Sequence, residues 1–173
     1  MNSRDWVDWV VIGASILSSL SILSTIAVYI KQKKDNDREK LEKKNSEIEL
    51  IKKIVNYAID ENIPIIHHSL NDLNKTLEII RKQDADLNIK GNLHLLVEFE
   101  LQKAFYKSMK YSDELSGTID NVINIIRVTN MRNETFCRIF KNQESLCRTL
   151  IDEYTEALCC LDSCKLELQQ CYE

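Results

Sequence analysis

The chain has 173 residues, a formal net charge of −4, one Pro, three Gly and six Cys. An acidic balance excludes a broad nucleic-acid binder, and the scarcity of helix breakers with no convincing two-residue alternation argues against a sheet-built fold. The composition predicts an all-α protein without internal repeats or low-complexity linkers.

Residues 10–30 form an apolar run between Asp8 and Lys31, the nearest charges on either side. As a helix at ~1.5 Å per residue, such a run spans roughly 30 Å, the thickness of a bilayer's hydrocarbon core. A cleaved signal peptide would want a basic start, a shorter apolar core and small residues at the cleavage point. Here Arg4 is set against Asp5 and Asp8, and the run leaves through Ala27, Val28, Tyr29 and Ile30 into lysines. The expectation is an uncleaved transmembrane helix held in membrane lipid. Residues 1–9 carry one base, whereas Lys31, Lys33, Lys34, Arg38 and Lys40 follow the run. The positive-inside bias then places 1–9 outside the cell and the remainder in the cytosol. Trp6, Trp9 and Tyr29 stand where interfacial aromatics belong.

At 100° per residue, Ser15, Ser18, Ser21 and Thr25 gather on one side of this helix, opposite Trp9, Ile12, Ile16, Leu20, Leu23, Ala27 and Ile30. A lone anchor has no need to sort its polar residues. Small pairs four apart (Ala14 with Ser18, Ser15 with Ser19, Ser21 with Thr25) suit close helix association, giving a homo-oligomer. A shared hydroxyl-lined pore is the alternative, and with one crossing per chain it requires several copies.

Residues 31–62 predict a juxtamembrane helix. Its basic end suits anionic headgroups. Leu41, Ile48, Ile51, Val55 and Ala58 make a short coiled-coil-like seam, interrupted by Lys44, that would pair copies or pack on the following domain. On one straight helix this seam lies about a quarter turn from the hydroxyls. Either the helix breaks near Asp35 to Asp37, or only one of the two faces makes the oligomer. Asn62-Ile63-Pro64 predicts a break, with Pro64 early in a new helix to about Lys82. Residues 63–173 then form a cytosolic helical bundle: that helix, a loop over 84–92, helices over about 93–111 and 113–130, a turn at 130–133, and 134–170 as one long helix or two. Adjacent His67 and His68 point about 100° apart and suit solvent or capping better than one metal.

All six cysteines, Cys137, Cys147, Cys159, Cys160, Cys164 and Cys171, lie toward the C-terminus. In a reducing cytosol they read as small buried residues at helix contacts; a zinc site lacks the usual paired spacing, and disulfides would follow only from the opposite orientation. No phosphate-cradling loop, nucleophile elbow, kinase set or zinc-protease helix is present, so no enzyme and no cofactor is expected. Lys103, Lys107 and Lys110 line one helix face beside Tyr106. Arg127, Arg138, Lys141 and Arg148 would converge if their helices stay in phase. Together they are candidates for an anionic ligand, a nucleotide or oligonucleotide, against the alternative of a solvated face balanced by nearby acids.

No motif identifies a family. The layout, a short membrane segment ahead of a cytosolic sensing domain, resembles the small membrane effectors of bacterial anti-phage systems. That resemblance implies an oligomer able to damage the host membrane when released, and it carries no residue roles. A gated pore controlled by the bundle is one expectation; a non-conducting scaffold or receptor that recruits a cytosolic protein is the other.

Overall fold

The computed structural model describes residues 3–82, 95–98, 100–139 and 144–170, with side chains for 6–82, 95–98, 100–133 and 144–170. These residues form four helices and no strand: α1 Ser3–Arg81, α2 Leu101–Ser108, α3 Asp113–Ile139 and α4 Glu144–Gln170. The chain divides into two compact units, Met1–Ser46 and Glu47–Glu173.

The described residues of the first unit belong to α1. Among its described side chains none is buried, including Ile12, Ile16, Leu20, Leu23 and Ile26. The helix does not break at Asp35 to Asp37. Around that point it is held by its own backbone and by i,i+4 ion pairs, Arg38 with Glu42 and Lys43 with Glu39, both at 2.8 Å. These pairs are highly exposed, so solvent screens them and they add little to the helix.

In the second unit the remainder of α1 packs with α3 and α4. Buried side chains recur along α1 at Ile48, Ile51, Val55, Ile59, Asn62, Ile66, Ser69, Leu73 and Leu77. This 3-and-4 spacing keeps its phase straight through Pro64, and the predicted break at 62–64 does not occur. Proline in a helix interior removes one hydrogen bond, here to the carbonyl of Asp60, and costs about 3 kcal/mol. Buried apolar residues on both sides of Pro64, each worth about 1.5–3 kcal/mol, exceed that cost. Pro64 itself faces solvent.

Long-range side-chain contacts fix the helix directions. Asp60 meets Lys165 at 2.5 Å, Leu73 O accepts from Cys147 Sγ at 3.3 Å, and Arg81 meets Glu144 at 3.0 Å. Hence α1 and α4 are antiparallel. Thr118 donates to Glu167 at 3.1 Å, Arg132 meets Glu153 at 3.0 Å, and Tyr154 donates to Asn133 at 2.6 Å. So α3 and α4 are antiparallel too. Tyr111 also donates to Glu47, joining the entry of α3 to α1. Leu115, Ile119, Val122 and Ile126 from α3 and Leu150, Tyr154, Leu161 and Leu168 from α4 complete the core.

Two further expectations are corrected. Residues 95–98 lie within the predicted third helix but are not helical. Their backbone bonds instead to asparagine side chains on α1 and α3, described below. The predicted turn at 130–133 is absent, and α3 continues to Ile139. Asn130 and Asn133 look like turn residues because their amides compete with backbone hydrogen bonds. Here those amides are spent on Leu96 and Tyr154, so the helix has nothing to compete with. Ser112 caps α3 by accepting the Leu115 N–H at 3.3 Å, with Asp113 and Glu114 in the favourable first turn. The predicted loop at 84–92 lies outside the described residues.

Candidate functional site

Two surfaces matter, one in each unit. The first is the apolar stretch of α1, which is long and apolar enough to cross a membrane and has none of its surface covered. Its hydroxyls divide into two sets. Ser15 donates to Val11 O, Ser19 to Ser15 O and Thr25 to Ser21 O, each at 2.9 Å. This bonding to the preceding turn satisfies the hydroxyl within its own helix. The Ser18, Ser21 and Ser24 side chains make no hydrogen bond among the described residues, and of these Ser18 and Ser21 lie on the candidate face. All four candidate face residues, Ser15, Ser18, Ser21 and Thr25, are exposed.

The seam divides in the same way. Leu41 is exposed, whereas Ile48, Ile51, Val55 and Ala58 are buried among the chain's own helices in the second unit. Of the two faces the sequence offers for assembly, the hydroxyl face is the one left uncovered.

The second surface is built around residues 95–98, which the sequence pattern does not single out. Leu96 is buried at 4 % exposure, while Leu95 and Val97 point outward at 56 % and 45 %. In an extended segment the N–H and C=O of one residue face one side, and those of the next face the other. Both sides are met by a carboxamide. From α3, Asn130 accepts the Leu96 N–H at 2.7 Å and donates to Leu96 O at 2.9 Å. From α1, Asn62 accepts the Val97 N–H at 2.7 Å and donates to Val97 O at 2.8 Å, and also to Ala58 O at 2.8 Å. Each amide thus reads its residue as a neighbouring strand would. Beyond them, Arg127 forks onto the Glu98 carboxylate at 2.6 and 3.2 Å. That guanidinium holds Glu98 below the usual carboxylate range, with Gln102 adding a second hydrogen bond. Glu100 then turns the chain into α2 with a left-handed backbone, φ 51°.

Three of the seven candidate anion-binding residues are engaged with acids. Lys103 meets Glu100 at 3.2 Å, Arg127 is held by Glu98, and Arg148 meets Glu144 at 2.7 Å, where Arg81 also binds. α2 packs against α3, so Tyr106 and Arg127 share a neighbourhood. Arg148 has different partners. Lys107 and Lys110 are exposed, and the Arg138 side chain and Lys141 lie outside the described residues. His67 and His68 are exposed, the latter 3.5 Å from the Asp72 carboxylate.

Cys147 and Cys164 are buried, and Cys160 is half-buried, on the packed side of α4, whereas Cys159 faces solvent. Burial pushes both buried thiols up, Cys164 to about 11, with the Glu167 charge adding to it. Among the described residues no His, Cys, Asp or Glu cluster could hold a metal ion. The side chain of Cys137, and Cys171, lie outside those residues.

Compared with known proteins, the chain matches no family model, no curated protein and no solved structure.

Proposed function

We propose that this chain is a single-pass membrane protein that works as a homo-oligomer. Its apolar helix crosses the bilayer with the N-terminus outside, and its helical bundle lies in the cytosol, where a partner controls the assembly. The observation that carries this reading is the sorted hydroxyl face of an uncovered apolar stretch, on which Ser18 and Ser21 are left without a hydrogen bond. Hydrocarbon offers no acceptor, so in a lone helix these hydroxyls can bond only to the preceding turn. A second copy offers carbonyls and hydroxyls, at about 0.6–2 kcal/mol per interhelical bond, together with close backbone approach over small residues.

A second reading, a gated pore, rests on the same two hydroxyls, since water in a shared lumen would also satisfy them. One variant tests both. The full chain with Ser18→Leu and Ser21→Leu, purified in mild detergent, is expected to lose the native mass of the oligomer while still extracting with the membrane fraction. A wild-type monomer would overturn the assembly, and an oligomer whose mass is unchanged in the variant would overturn the hydroxyl face as its contact. In vesicles, ion flux from the wild type that the variant loses would identify a pore. An oligomer without flux would leave a non-conducting scaffold.

A further inference from the structure

The segment 95–98 has the geometry of a bound peptide. It contributes no regular secondary structure. One side chain, Leu96, enters the core, and one carboxylate, Glu98, is gripped by an arginine. Its two central residues are read through backbone N–H and C=O groups by Asn62 and Asn130. Carboxamides on two rigid helices, each offering a donor and an acceptor to one residue of an extended chain, recognise a backbone irrespective of its side chains. Specificity then comes from the Leu96 pocket and from the fork of Arg127, which matches carboxylate geometry.

We propose that the groove between α1 and α3, defined by Asn62, Asn130 and Arg127, is a peptide-binding site that the chain's own residues 95–98 occupy in the resting state. The ligand is an extended peptide with an apolar residue at the position of Leu96 and an acidic residue two places later. The occupant seated in the groove supplies this pattern directly. The inference deepens the reading of the bundle as the part that receives a partner. Native mass reports membrane assembly separately, so either reading can fail without the other.

The test has two arms, both on the full chain in detergent. In the unaltered protein, hydrogen exchange compares the Leu96 and Val97 amides with core amides such as those of Ile59 and Ile126. A segment that leaves its groove opens below the global unfolding free energy, so its amides should exchange at least about a hundredfold faster. Equal protection would make the segment a permanent part of the core and overturn the proposal.

In the second arm, a labelled, capped Leu-Leu-Val-Glu peptide is titrated against wild type and Leu96→Gly. Since a tethered competitor acts at roughly millimolar effective concentration, the variant should bind at least about tenfold more tightly. Adding Asn62→Ala and Asn130→Ala should remove binding, and ending the peptide in Gln should weaken it. Binding indifferent to the asparagines, or none to a Leu96→Gly protein that keeps its helical signal, would overturn the proposal. A doubling of native mass on releasing the segment would overturn it in favour of exchange between copies. Should Leu96→Gly fail to fold, the hydrogen-exchange arm decides alone.

Discussion

Replacing Asn62 by Ala tests the asparagine clamp quantitatively. Asn62 is wholly buried, and its carboxamide makes three hydrogen bonds at 2.7–2.8 Å, two to Val97 and one to Ala58. Each is worth about 1 kcal/mol net, and a buried partner left unmet costs about 1–3 kcal/mol. Val97 is close to half exposed, so water recovers part of that loss. The greater helix propensity of Ala returns roughly 0.5 kcal/mol. The expected destabilisation is about 2–3 kcal/mol. For a unit of this size, Glu47–Glu173, 1 kcal/mol moves the midpoint by about 3–5 °C, so the melt should fall by about 6–15 °C. Asn130→Ala loses two bonds from a half-buried site and should lose about 1–2 kcal/mol. The double variant should lose less than the sum, because both amides hold one segment and freeing one edge weakens the other. Circular dichroism at 222 nm, followed through thermal unfolding in detergent, measures all three. A midpoint for Asn62→Ala within about 2 °C of wild type, or strict additivity in the double variant, would refute the clamp as a shared structural element.

Pro64→Ala should raise stability by about 1–3 kcal/mol, since Ala restores an N–H able to bond the Asp60 carbonyl in a helix that is already continuous; a lower midpoint in the same melt would show that the ring has a packing role. Glu98, held below the ordinary carboxylate range by Arg127, contributes stability that is whole above its unfolded pKa of about 4.3 and is lost as pH falls through the lower folded value. Glu98→Gln should therefore flatten the acid limb of the stability curve and lower stability at neutral pH; an acid limb identical to wild type would show that other carboxylates govern it.

The contrast between residues 48–77 and residues 95–98 shows what the amino-acid sequence determines unaided. A helix buries one stripe, and hydrophobic spacing reports that stripe directly. The all-helical class, the apolar span at 10–30 and the buried seam positions Ile48, Ile51, Val55 and Ala58 are therefore legible before any coordinates. What packing decides is the fate of residues whose local preference is weak or double. Pro64 and Asn62 together read as a helix end, yet the helix continues because apolar surface on both sides of Pro64 outweighs one missing hydrogen bond. Asn130 and Asn133 read as a turn, yet they point their amides at other segments.

Residues 95–98 read as helical because Leu95 and Leu96 are good helix formers, yet they are drawn out by two carboxamides from 34 and 35 positions away. No local pattern encodes a bond across that separation. Asparagine offers a donor and an acceptor on a short stem, and it serves equally as a cap, a turn or a surrogate strand edge. Which of these it becomes depends on what the folded chain brings beside it. The basic residues follow the same physics: charge type is written in the sequence, but whether Arg127 faces solvent or grips Glu98 is fixed only when α3 meets the segment it holds.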